Sequence, residues 1–436
     1  MENTIVKRTL NLIIFGKDIR KFRICEKQNM KKVSIFLALF GLFNFVKLVA
    51  HDKSEKREII IFTCHGGGGH VSAANSIADA LKENYKISII DPFIDEKIFG
   101  KMDFIKKISF SAFNGIDFYN YLLRNRWNWL INLYSSLGKS WVNNHKKKMT
   151  GQLQEYFNDN KCDMVICVSP YINGVTLNVL QDLNIPFLLI STDLSAETFV
   201  FGVKSQSYKK FILSLPFDDE LLLNKIKSFN IPKNNIDFIG YPLRSAFFQE
   251  KNKSLLKKEF KIPEDKKVVM ILMGAEGSPA IWRYVFNISK NKFPMHLIIC
   301  IGRNEYLRKR LSRILFPKHI TNSIFGFTDR IADLMAISDL FITKPGSHSV
   351  CEAIQMGIPI LIDQTSTILQ WEKLNGEFIK KYKLGDVIRS YRKTNKLINK
   401  FLNDENYLKA IRLNFDKLKR KDFKTPLRDL VNKMLN

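Results

Sequence analysis

From residue 58 onward, short runs of β-branched and apolar residues alternate with helix-period stretches, the pattern of βαβ units built on parallel sheets. The first set of strand candidates is EIIIFT (58–63), KISIID (86–91), DMVICVS (163–169), PFLLIST (186–192), KFILS (210–214) and IDFIG (236–240). The second is KVVMILM (267–273), HLIICIG (296–302), SIFGF (323–327), DLFIT (339–343) and IPILI (358–362). Near-continuous apolar runs of this length suit strands covered on both faces. Two Rossmann-like α/β domains are therefore predicted, over 58–240 and 241–436. Their boundary falls just after Gly240, where Pro242 and the lysine-rich KNKSLLKK break the pattern. Open parallel sheets bind ligands beyond the carboxyl ends of their strands, so both sets should face one cleft.

Two stretches depart from this rhythm. Residues 1–57 are basic and contain VSIFLALFGLFNFVKLVA (33–50), which as a helix would reach ~27 Å, just short of a bilayer core. A spanning helix, an interfacial or re-entrant anchor and a signal peptide starting at Met30 are the competing readings. The poor cleavage site at Leu48-Val49-Ala50 weighs against the signal peptide, and the anchor is favoured. Residues 99–149 form a helical insertion in the first domain, where Phe104, Phe110, Phe113, Phe118, Trp127, Trp129 and Trp141 mix with many basic residues. Such a mixture describes either an amphipathic core pair or a membrane-facing surface.

Charge sharpens the choice. A formal net charge of +27 demands an anionic counterpart: nucleic acid, acidic lipid or a phosphate-bearing substrate. No zinc-finger spacing, RNP-type strand or continuous basic recognition helix is present, so no nucleic-acid partner is expected and a membrane surface is. The six cysteines are scattered and several sit in strand-like runs, which reads as buried thiols in a reducing compartment.

Two glycine-bearing turns carry the candidate chemistry. The first strand ends in Thr63-Cys64-His65-Gly66-Gly67-Gly68-Gly69-His70 and a helix follows. The run lacks the Lys-Ser/Thr of a P-loop and the third glycine of a dinucleotide fingerprint, but His70 puts a titratable group where the two domains meet. In the second domain, Thr343-Lys344-Pro345-Gly346-Ser347-His348-Ser349 leads from a strand into a short helix that Gly357 and Pro359 stop. Ser347 and Ser349 are expected to cap this helix, whose N-terminus would take a diphosphate, while Glu352, one turn further in, could bridge two ribose hydroxyls.

In order along the chain, GGGGHVSAA (66–74), STD (191–193), GYPLRSAF (240–247), MGAEGS (273–278), CIGRNEYL (300–307), GFTDRIADLMAISDLFITKPGS (326–347) and EAIQMGIPILID (352–363) resemble the monogalactosyldiacylglycerol synthase and processive diacylglycerol glucosyltransferase family. These are GT-B glycosyltransferases related to the lipid-linked N-acetylglucosaminyltransferase of peptidoglycan synthesis. The resemblance implies inverting transfer of a hexose from a UDP-sugar to a lipid acceptor such as diacylglycerol, at the cytoplasmic face of a membrane. It places Phe327 beside the uracil and Glu352 on the ribose. Arg244 and the segment Gly346, Ser347, His348 and Ser349 fall to the diphosphate, with Gly68 and Gly69 lining the site and Gln370, Glu372 and Asn375 near the sugar. His70 or Asp193 would be the base. Lys344 and the loop holding Gly274, Glu276 and Gly277 would stabilise the departing diphosphate without a metal or other cofactor. The family's His and Trp after the STD aspartate are replaced here by Leu194-Ser195-Ala196-Glu197-Thr198-Phe199. A polyprenyl-diphosphate acceptor and a catalytically inactive sugar-nucleotide-binding scaffold are the rival readings.

Overall fold

The structure is a computed structural model that describes residues 56–109, 113–203, 208–419 and 422–436. The apolar segment 33–50 lies outside the described residues, and among those described no helix is long and apolar enough to cross a membrane.

Every strand expected from the pattern is present. The first sheet contains β1 (Glu58–Phe62), β2 (Lys86–Ile90), β3 (Met164–Cys167), β4 (Phe187–Ile190), β5 (Phe211–Ser214) and β6 (Ile236–Asp237), in the order β2-β1-β3-β4-β5-β6. The second contains β7 (Lys267–Leu272), β8 (Met295–Gly302), β9 (Ile320–Gly326), β10 (Leu340–Thr343), β11 (Ile360–Asp363) and β12 (Gly385–Ile388), in the order β12-β11-β10-β7-β8-β9. All pairings are parallel, for example Ile59 opposite Met164 and Leu340 opposite Val269. Helices cover both faces, so Ile59, Ile61 and Phe62 on β1 are wholly buried. Each such side chain contributes about 1.5–3 kcal/mol relative to exposure. The edge strand β2 is more exposed and its sequence, KISII, is correspondingly mixed.

The pattern gives no hint of β12. Its sequence, GDVI, begins with two residues that disfavour strands. Gly385 is nonetheless required there, because a Cβ would stand 1.8 Å from the Ile360 carbonyl oxygen of the neighbouring strand.

Five helices matter below. α1 (Gly69–Leu81) follows β1, α2 (Gly115–Arg124) and α3 (Asn128–Asp159) make up most of the insertion, α4 (Ser347–Met356) follows β10, and α5 (Lys424–Leu435) ends the chain. α2 starts at Asn114 with a reciprocal capping box to Asp117. α5 corrects the grouping of 241–436 as one domain. Phe423, Leu427, Leu430 and Val431 pack into the core of the first sheet with Ile59, Ile77 and Leu81. The Tyr85 hydroxyl bonds Asn432 Oδ1 at 2.5 Å, and Arg428 donates to the Ala80 carbonyl at 2.7 Å. The tail thus ties the second half of the chain back to the first.

Candidate active site

The order of each sheet reverses at one point, between β1 and β3 in the first and between β7 and β10 in the second. Loops leaving neighbouring strands at such a point diverge and open a crevice. The loop after β1, the Gly274 loop after β7 and the 344–346 turn after β10 all emerge there. They border one cleft of ≈ 790 Å³ between the sheets.

Glycine lets the walls come close. A Cβ on Gly69 would lie 3.3 Å from the His348 Cβ across the cleft. Gly277 has φ +68°, and a Cβ there would be 1.9 Å from the Ile301 carbonyl oxygen, so no other residue fits the bend.

On the second-domain side, Gly346 precedes α4 as its N-cap and no side chain among the described residues caps the helix. The expected caps fail for a physical reason. Ser347 lies inside the first turn, where its hydroxyl donates to Asp193 Oδ1 at 3.1 Å and accepts from the Leu194 N–H at 3.3 Å. The first N–H groups of a ten-residue helix are therefore left for an anion. Glu352 is buried, with Oε1 3.3 Å from His348 Nε2 and 4.0 Å from Arg244 Nη2. Arg244 also donates to the Asp329 carbonyl at 2.9 Å. His348 Nδ1 is buried and has no hydrogen-bond partner among the described residues. Phe327 is 61% exposed at the rim, with the Arg303 guanidinium 4.1 Å from its ring centre.

Facing them, His70 Nδ1 is 2.7 Å from the Thr192 hydroxyl. Burial, and then the neighbouring His348, push its pKa down to about 4, against a hydrogen bond with the Val168 backbone. Asp193 moves the other way. Burial and the Glu372 carboxylate raise it to about 7, while the Ser347 hydroxyl and Lys344 oppose the shift. Glu372 is itself raised by burial, with Lys344 opposing. Neutral imidazole and a carboxylate titrating near neutrality are the two states that proton acceptance requires.

The cleft gathers Gly68, Gly69, His70, Asp193, Arg244, Gly274, Glu276, Phe327, Lys344, Gly346, Ser347, His348, Ser349, Glu352 and Glu372. Gly277 borders the smaller adjoining hollow. Gln370 and Asn375 do not line the cleft. Gln370 is exposed and its N–H is held by Asn132 Oδ1. Asn375 is wholly buried beneath the turn, donating to the Pro345 carbonyl and to Ser347 Oγ, so it supports α4 from behind. Glu276 is committed to Arg303 at 2.9 Å and to Arg124 at 2.8 Å. The sequence did not assign to the site the cleft residues His65, Tyr119, Asn120 and Trp371. Tyr119 and Asn120 arrive on α2, which no local pattern ties to the glycine loop. The Gly67 N–H donating to Asn120 Oδ1 at 2.9 Å makes the tie.

Two six-stranded parallel sheets meeting at their switch points, with an open helix N-terminus on one wall and titratable groups on the other, are the two-domain arrangement of the GT-B fold. Solved structures of this fold are similar. MurG of Acinetobacter baumannii gives a TM-score of 0.58 at 13% identity, covering 87% of this chain and 99% of that one. UGT89C1 of Arabidopsis thaliana, solved with quercetin, gives 0.54 at 11% identity, covering 88% and 100%. Residues 268–411 match the glycosyltransferase family 28 C-terminal domain. Among curated relatives, the processive diacylglycerol beta-glucosyltransferase of Bacillus cereus (strain B4264) is 22% identical over 311 residues, 70% of this chain and 76% of that protein. Its counterpart from Bacillus mycoides (strain KBAB4) is 22% identical over 318 residues, with the same coverage.

Proposed function

We propose that the chain is an inverting hexosyltransferase that moves a sugar from a UDP-sugar to a membrane lipid, diacylglycerol being the acceptor. The carrying observation is the cleft itself: the uncapped start of α4, with buried Glu352 one turn in and Arg244 beside it, faces His70 and Asp193 of the other domain. A diphosphate would meet the free N–H groups of α4, Lys344 and Arg244, and the ribose hydroxyls would donate to Glu352. This separation of charge stabilises the leaving UDP while Asp193 or His70 accepts the proton of the incoming hydroxyl.

The lipid half of the reading rests on the relatives' acceptor and on the insertion. Trp129, Leu133 and Leu137 stand at i, i+4 and i+8 on α3, each more than half exposed, and Phe104 and Phe113 of the same insertion are exposed as well. An apolar stripe of that size among basic residues suits the cytoplasmic face of an anionic membrane. The deciding experiment incubates the full chain with labelled UDP-glucose, UDP-galactose or UDP-N-acetylglucosamine and vesicles containing diacylglycerol. Mass spectrometry should find a hexosyl-diacylglycerol. UDP binding with no lipid product from any donor would remove diacylglycerol as the acceptor.

A further inference from the structure

The loop after β1 carries a second histidine that this chemistry has not used. His65 Nδ1 lies 2.8 Å from Asp91 Oδ2, and the His65 N–H donates to the same oxygen at 2.8 Å. Asp91 sits at the end of β2, its side chain 3% exposed, and its other oxygen accepts from the Phe93 N–H at 2.9 Å. A buried carboxylate with its acceptor sites so occupied holds the ring in one orientation and keeps the proton on Nδ1. The lone pair of Nε2 is then the free acceptor. It has no partner among the described residues, and the His65 side chain is 51% exposed where it borders the cleft.

Two features argue against mere loop packing. The backbone N–H bond alone anchors the loop to Asp91, so the added imidazole bond is redundant for that purpose and serves to aim the ring. The first domain and its insertion also close around this spot: Asn120 Nδ2 donates to the His65 carbonyl at 3.1 Å, and Tyr119 lies against Gly66. His65 therefore stands on the wall opposite the α4 N-terminus, at the end reached from the insertion. His70, by contrast, has its Nδ1 2.7 Å from the Thr192 hydroxyl.

We propose that His65, aimed by Asp91, is an acceptor-binding residue, its Nε2 accepting a hydrogen bond from a hydroxyl of the incoming alcohol. This rests on the glycosyltransferase reading and adds where the acceptor head is held. The ligand class is a hydroxyl-bearing lipid head, and His65 would orient it while the proton passes to another group.

The test compares wild type, His65→Phe and His65→Gln in the full chain. Phenylalanine keeps the ring volume but removes both nitrogen bonds, and glutamine restores an oxygen acceptor. One neutral hydrogen bond is worth ~0.5–1.5 kcal/mol, so His65→Phe should raise the acceptor KM by roughly 3–10-fold. Glutamine should recover part of it, and UDP affinity by calorimetry should stay within about twofold. Binding of dioctanoylglycerol mixed micelles in the presence of UDP is measured in parallel, independently of turnover, and should weaken by the same factor. Turnover by wild type tests the enzymatic reading. Equal micelle affinity in wild type and a folded, UDP-binding His65→Phe would overturn this proposal whether or not turnover is seen.

Discussion

Arg126 Nη2 lies 2.8 Å from Asp363 Oδ2, joining the turn between α2 and α3 to the end of β11 in the other domain. Arg126 holds φ +59°, in the left-handed region, and the same nitrogen donates to Ser366 Oγ at 2.7 Å. Asp363 accepts in turn from the Tyr284 hydroxyl at 2.7 Å. Beside this pair, Asn128 and Asn132 donate to the carbonyls of Thr367 and Ile368, so the insertion straps the 365–370 loop. Removing one partner of a largely buried pair leaves the other charge unanswered, at about 3–5 kcal/mol. Arg126→Ala should therefore lower the melting temperature by several degrees and speed proteolysis within 363–372, both read on the purified chain. An unchanged melting curve would make the pair incidental.

Glu352→Gln should weaken UDP binding by ~10–100-fold, because an amide is a poorer acceptor for two hydroxyls and hydrogen bonds to charged groups are worth ~1.5–3 kcal/mol. Calorimetry with UDP measures it directly. Wild-type affinity in the folded variant would take Glu352 out of the nucleotide site.

For Asp193 the sign of the pH effect is fixed by burial. Its folded pKa, about 7, lies above the unfolded value, so its stabilising contribution is full below the unfolded pKa and is lost as pH rises toward 7. Asp193→Asn, uncharged throughout, should be more stable than wild type at pH 8, by up to a few kcal/mol, and the gain should shrink at pH 5. In wild type, kcat/KM should show an acidic limb near pH 7. A melting difference independent of pH would mean the carboxylate is not raised.

His70→Ala should lower kcat by ~10²–10⁴-fold while UDP affinity changes only a few-fold, if the imidazole accepts the proton or holds the hydroxyl. Because His70 ionises only near pH 4, the limb near pH 7 should survive the substitution. Turnover per UDP-titrated site is the measurement, and a near-normal value transfers the base role to Asp193.

Replacing Trp129, Leu133 and Leu137 together by serine should abolish much of the sedimentation with anionic liposomes at low salt in a chain lacking residues 1–52, with UDP affinity retained. Equal sedimentation would place the membrane contact elsewhere.

The apolar runs by themselves determined the glycine-bearing turns and every strand but β12, because a strand covered on two faces must be almost uniformly apolar and a sharp exit from it needs glycine. The helix after the second glycine turn marked Glu352 and the family resemblance marked Arg244, and the structure brings the two to within 4.0 Å. What only the tertiary structure decided are the partnerships across long separations. Ser347 reads as a helix cap in sequence, yet Asp193, 154 positions away, claims its hydroxyl. Asn375 reads as a sugar contact, yet it is buried as the brace of that serine. Asp91 aims His65, α2 supplies Asn120, and α5 returns to the first sheet. Hydrophobic periodicity is a local property written into neighbouring residues, whereas a hydrogen-bond partner or a shifted pKa depends on which surfaces meet when the chain closes on itself.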